Sequence, residues 1–182
     1  MEKIQMKRHP GFYEGMRDGI PIALGYFAVA FSLGITARKV GMNALQGFLS
    51  SMLNHASAGE YAEFTVIGAG APYIEMALVI LVTNARYLLM SCALSQKMDS
   101  KTGLLHRILV GFGITDEIFG ASIARKGAVD PWYHYGAMLM AIPAWSFGTA
   151  IGIVAGNILP SAVVSALGVA SYGMFLAIII PP

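Results

Sequence analysis

Asn54, His55, Ser57, Glu60, Glu63, Asn84, Arg86, Asp116 and Glu117 all stand inside otherwise apolar stretches of this chain. A charge near the centre of a bilayer costs about 2.5–3.5 kcal/mol on insertion scales, so such residues need a partner, a wet cavity or a neutral protonation state. Arg86 constrains the reading most. A guanidinium keeps its proton, so Arg86 must meet an anion or backbone carbonyls. Its candidate partners are Asp116, Glu117, Glu60 and Glu63. The two glutamates are three residues apart and share a helix face, with Ser57 one turn earlier on the same side and Asn54 a further turn back. Two chemistries fit this set. In one, Arg86 pairs with a carboxylate and locks two helices together. In the other, the groups line a cavity for a charged or zwitterionic solute, and one carboxylate is free to carry a proton.

These groups must be positioned by membrane helices. Hydrophobic residues make up 56% of the 182 and charged residues only 12%, about half the share in a soluble domain. The charges gather at the N-terminus and in short connectors. Between them lie apolar runs of about 20 residues, long enough to cross a hydrocarbon core. The expected fold is all-α, a polytopic transmembrane helix bundle of about six hydrophobic segments in a multi-pass protein of the cell membrane. A net charge of +2 and the lack of a basic run with interleaved aromatics exclude nucleic acid as a partner. No metal-ligand spacing occurs, so neither a metal nor a cofactor is implied. No serine sits in a Gly-x-Ser-x-Gly turn, and no enzyme is expected. Cys92, the single cysteine, reads as a packed helix residue.

Residues 1–19 read as a polar tail or interfacial helix, and 20–182 as the transmembrane domain. Span 1 is expected from about Ile20 to Ala37 and segment 2 from Ala44 to Ala69. Span 3 follows from Tyr73 to Ser95, interrupted at Asn84-Ala-Arg86, then segment 4 from Leu104 to Ala124. Span 5 is expected from Tyr133 to Gly156 and span 6 from about Pro160. Segment 2 is the most polar and reads as broken or re-entrant. If it is re-entrant, the N-terminal tail and the 96–107 connector share the cytoplasmic side. Arg38, Lys39, Arg125 and Lys126 then lie opposite. Leu53–Gly59 and Leu167–Gly173 share Leu, Ala, Ser and Gly at the same offsets, and the same shift brings Gly34 onto Gly148 and Ser51 onto Ser165. This suggests an internal repeat. A chain that stops at Pro181-Pro182, still inside a hydrophobic run, suggests truncation.

Gly148, Gly152 and Gly156 fall on one face of span 5 and predict a tight helix contact. Pro143 should kink that span. Trp132, Tyr133 and Tyr135, like His106 and His134, are placed near span ends and read as interfacial. His55 reads as a hydrogen-bonded packing residue rather than a proton relay.

At the same polar clusters the chain resembles the AzlC family, the large subunit of branched-chain amino-acid exporters. Thr83-Asn-Ala-Arg-Tyr-Leu-Leu-Met-Ser91 is similar to its N-x-R-[HY]-x-L signature, and Ser51-Met-Leu-Asn-His-Ala-Ser-Ala-Gly-Glu-Tyr-Ala62 to its S-A-G-Q-F-A segment. Phe112-Gly-Ile-Thr-Asp-Glu-Ile-Phe119 matches F-G-x-T-D-E-x-F, and the stretch from Tyr172 to Pro182 matches a late Y-G-M-F-L-A-I motif. The resemblance implies export of hydrophobic amino acids with a small membrane subunit of the AzlD type as partner. Where the family usually carries glutamine this chain has Glu60, which points to proton coupling or to a cationic solute.

The expected function is therefore a secondary transporter exporting branched-chain or related amino acids, proton-coupled. Arg86 and Asn84 would hold the substrate carboxylate, or Arg86 would pair with Asp116 or Glu117 when the site is empty. Asn54, Ser57 and Glu60 would face the ammonium or carry the proton. The rival is a membrane subunit that transports nothing itself and uses its buried charges for packing.

Overall fold

The structure is a computed structural model that describes residues 9–156 and residue 158. Eight helices and no strand are found among these residues: α1 (Pro10–Lys39), α2 (Ala44–Leu53), α3 (Ser57–Gly68), α4 (Tyr73–Thr83), α5 (Arg86–Lys97), α6 (Leu104–Phe112), α7 (Asp116–Ala124) and α8 (Pro131–Ala155). Span 6, the late motif and the second half of the repeat lie outside the described residues. α1 starts ten residues before the expected span, because Pro10 suits a first helical turn. Residues 10–19 are thus its first turns.

Two helices are each long and apolar enough to cross a membrane, α1 and α8, and α4 with α5 does so as a pair bent by 52°. α1 and α8 make the largest interface of the fold, and they run parallel. Near their starts a Cβ on Gly19 would stand 3.0 Å from the Ala137 Cα, and towards their ends one on Gly148 would stand 2.7 Å from the Phe27 carbonyl oxygen. Gly152 likewise lies on the Phe31 backbone, so two of the three expected seam glycines make the contact directly. The third, Gly156, caps α8. α8 is continuous through Pro143.

Parallel α1 and α8 fix the path of the chain between them. At one end of the bundle His9 stacks on Trp132 with centroids 4.0 Å apart, and Arg125 pairs with Glu14 at 2.5 Å. Lys97 donates there to the carbonyls of Ile123 and Arg125, and the Val129 amide donates to the Lys97 carbonyl at 3.0 Å. At the opposite end Gly68 packs on Val40, and a Cβ on Gly156 would stand 3.7 Å from the Arg38 side chain. α2–α3 therefore enters and leaves by the far end, as the polar character of segment 2 suggests. α4–α5 returns to the first end. α6–α7 then enters and leaves by that first end, which the sequence reading had as one plain crossing. Arg125 and Lys126 consequently lie with the 96–107 connector and not opposite it.

Sequence explains the breaks. Asn43 and Gln46 form a capping box at the start of α2, with both bonds 2.9 Å, and Asn54 leaves helical geometry at its end. The Thr83 hydroxyl bonds back to the Val79 carbonyl at 2.7 Å, a contact that competes with the ladder just before Asn84 ends α4. α6 stops at Gly113, and Thr115 starts α7 by accepting the Ile118 amide at 3.3 Å.

The core lies between α1 and α8, with Tyr26, Leu33, Phe64, Ile118 and Trp145 buried in it. Outward faces are bare and apolar, as at Leu24, Tyr73, Leu78, Leu89 and Leu105, which suits lipid rather than water. Cys92, expected to be packed, is exposed on this surface. His134 and Tyr133, expected at an interface, are buried. Ser122 bonds the His134 ring at 3.2 Å, and the Tyr133 hydroxyl donates to Asp18 at 3.1 Å.

Candidate functional site

Three interrupted segments bring their breaks to one place. His55, between α2 and α3, donates from Nε2 to the Phe112 carbonyl at the end of α6, at 2.8 Å, and packs its ring on the Phe112 ring. Asn84, at the end of α4, lies so close to Gly59 of α3 that a Cβ there would stand 2.5 Å from its amide nitrogen. Arg86, the first residue of α5, donates from Nη2 to Asp116, the first residue of α7, at 2.7 Å.

Beside this junction is a cavity of about 370 Å³, within the usual range for a small-molecule site. One wall is α1, through Pro21, Ile22, Gly25, Tyr26 and Val29. The other is His55, Ser57, Tyr87, Asp116, Glu117 and Trp145. Ser57, Tyr87 and the Asp116-Glu117 pair belong to the first turns of α3, α5 and α7. Amides of a first turn have no partner within their own helix and favour anionic groups nearby. Tyr26 donates its hydroxyl to Glu117 and sets its ring edge-on to Trp145, joining the two walls. The site is thus amphiphilic, apolar on α1 and charged across from it.

Of the expected site residues, Ser57, Asp116 and Glu117 line this cavity, and Arg86 stands one ion pair away with its side chain about one-third exposed. The Arg86 Nε and the Asn84 Oδ1 are buried without a hydrogen-bond partner. Glu60 and Asn54 are placed elsewhere. Glu60 is fully enclosed and accepts from the Ser51 hydroxyl, the Trp145 indole and, at 3.4 Å, the Thr149 hydroxyl. Glu63 accepts from Ser50 at 2.6 Å and from Asn54 at 2.8 Å. Each glutamate is held by neutral donors. Trp145 connects this polar nest to the cavity, since it lines one and bonds the other.

The sequence reading missed Tyr26, Tyr87 and Trp145 as lining residues; His55, expected as a hydrogen-bonded packing residue, makes that bond and ring contact with Phe112 and lines the cavity as well. Signals for all three aromatic residues were present. A phenol or indole in the middle of a span, away from both interfaces, carries a polar atom that must find a partner. Tyr26, Tyr87 and Trp145 are such residues; Gly25 gives no such sign.

The family model described as AzlC protein matches residues 21–159, which includes every residue of the cavity and of the nest. A membrane protein of Archaeoglobus fulgidus is 31% identical over 172 residues, covering 93% of this chain and 75% of that protein. The inner membrane protein YgaZ of Escherichia coli is 28% identical over 176 residues, covering 93% of this chain and 72% of that one. A membrane protein of Helicobacter pylori is 23% identical over 154 residues, 80% of this chain and 66% of its own length. No solved structure matches. The three polar clusters of the sequence, the apolar exterior and the length of the match lead to one assignment: the chain belongs to the AzlC family of multi-pass membrane proteins.

Proposed function

We propose that the protein is a secondary transporter that exports branched-chain or related hydrophobic amino acids, coupled to protons, together with a small membrane subunit of the AzlD type. The observation that carries this reading is the cavity itself. It lies where three broken helices meet, with an apolar wall facing two carboxylates and Arg86 bonded to one of them. Broken helices that expose backbone ends at mid-depth are the usual means by which a membrane protein binds a small polar solute.

In this reading the substrate side chain lies on α1 between Ile22 and Val29. Its ammonium meets Glu117 and Asp116. Its carboxylate competes with Asp116 for Arg86 and takes the free amides of α3 and α7. Glu60 carries the proton, with Trp145 as the element that senses whether the cavity is filled.

Efflux of labelled valine or leucine from loaded cells tests the proposal. Arg86→Ala and Asp116→Asn should each lower efflux by about tenfold or more, the loss of one charged contact worth about 1.4 kcal/mol or more, at normal protein levels. Unchanged efflux overturns the assigned roles. The Arg86–Asp116 bond also suits a purely structural pair, and exchange of the two residues decides. If Arg86→Asp with Asp116→Arg restores both the fold and full efflux, the pair is structural; if it restores only the fold, the pair belongs to the site.

A further inference from the structure

We infer that Gly25 sets the bulk of the side chain the cavity accepts, so that this single position on α1 selects for aliphatic substrates by size. The inference rests on the export reading above and adds to it the residue that determines specificity.

α1 has five glycines among its described residues, and four of them have a packing role. At Gly11, Gly15, Gly19 and Gly34 an added Cβ would meet α8 or its cap, at Asp130, Tyr133, Ala137 and Thr149. Gly25 is different. A Cβ there meets nothing within 4 Å, yet the residue lines the cavity. Ile22 lies three residues before it and Val29 four after, and both line the cavity too. Residues at this spacing share one helix face, so a side chain at 25 projects between those of Ile22 and Val29 into the space a substrate would fill. No helix contact explains the glycine, and its backbone needs no left-handed conformation. Across the cavity, the charged groups that would orient an amino acid sit on α5 and α7. A substrate anchored there directs its side chain towards α1. Gly25 is the part of that wall with no side chain.

Each added carbon at 25 should therefore remove room from the larger substrates first. A one-carbon difference in an apolar pocket changes discrimination by about tenfold or more. The experiment loads cells producing the full-length protein with labelled alanine, valine, leucine and methionine, and compares the efflux rates. Variants are Gly25→Ala, Gly25→Ser and Gly25→Val. Gly120→Leu serves as control, because Gly120 also has open space around it and does not line the cavity. The leucine-to-alanine rate ratio should fall in steps from the unaltered protein through Gly25→Ala to Gly25→Val, by about tenfold or more in total, and stay unchanged in Gly120→Leu. Gly25→Ala and Gly25→Ser carry the test if Gly25→Val does not reach the membrane. An unchanged ratio at normal protein level, an equal loss for all four amino acids, or the same shift in Gly120→Leu overturns the inference. If the unaltered protein exports none of the four, the export reading falls and this one with it. Export with a flat Gly25 series sinks this inference alone.

Discussion

The α1–α8 seam and the three broken segments are built on opposite terms. Along the seam two unbroken helices lie parallel, with Gly19, Gly148 and Gly152 letting one backbone rest on the other. Backbone groups there bond along their own helix except around Pro21 and Pro143, which lack an amide, and contact comes from close packing, the main source of helix association in lipid. In α2–α3, α4–α5 and α6–α7 the helices are interrupted partway, and the regular ladder of backbone bonds gives way there to turns and side-chain contacts. Those segments are held by side chains instead: Arg86 on Asp116, His55 on Phe112, and Ser51 and Trp145 on Glu60. Irregular backbone at that depth is tolerated only where protein or a polar cavity surrounds it. The seam is therefore a scaffold, and the broken half holds whatever chemistry the protein performs. Tyr26 and Trp145 are the places where the scaffold reaches into the broken half.

Substitutions of opposite character should separate the two regions. The largest effect belongs to the seam. Gly152→Leu forces a side chain into the Phe31 backbone and should cost about 3 kcal/mol or more of packing. The expected result is loss of the monodisperse species in detergent; a normal melting temperature would mean that the seam is not the scaffold. An intermediate effect is expected in the nest. Glu60→Gln keeps an acceptor for Trp145 and a donor for the Ser51 oxygen, and should shift stability by no more than about 1 kcal/mol. Glu60→Leu strands the indole N–H and should cost about 1–3 kcal/mol. Glu60→Gln should also keep exchange of labelled for unlabelled substrate across proteoliposomes while abolishing uphill transport driven by a proton gradient. Uphill transport at the normal rate would remove the proton from Glu60. The smallest effect is topological. In a Cys92→Ser background, Lys39→Cys and Ala69→Cys should react with an impermeant thiol reagent from one side of the membrane, and Ser100→Cys and Lys126→Cys from the other. The side with Lys97, Lys101, Arg107, Arg125 and Lys126 should be cytoplasmic. Labelling of Lys39→Cys and Ala69→Cys from opposite sides would turn the α2–α3 re-entrant pair into an ordinary span.

Much of this organisation was legible before any coordinates. Charge distribution and the length of apolar runs establish the membrane class. The break at Asn84-Ala-Arg86 and the weak apolar character around Asn54 are visible as polar residues inside apolar runs. The second re-entrant pair was not legible. Gly113-Ile114-Thr115 is no more polar than many continuous membrane helices, and only the parallel course of α1 and α8 requires the chain to turn back there. Arg125 and Lys126 were set on the wrong side for the same reason. In the site, charged residues announced themselves, because each needs a partner in an apolar medium. Glu60 and Asp116 looked alike in sequence, and nothing in their spacing shows that one is enclosed by Ser51, Trp145 and Thr149 while the other lines a cavity. Gly25 was invisible as well, since an absent side chain gains meaning only from the space around it.

The three breaks have an electrical consequence. A helix N-terminus acts as roughly half a positive charge and a C-terminus as roughly half a negative one, and α2, α4 and α6 end where α3, α5 and α7 begin, so these backbone ends largely cancel. What remains is the Arg86 guanidinium against the carboxyl groups of Asp116 and Glu117, a formal excess of negative charge. A guest with both signs and no net charge leaves that excess as it stands, whereas a glutamate-like guest would deepen it in a medium that cannot screen it.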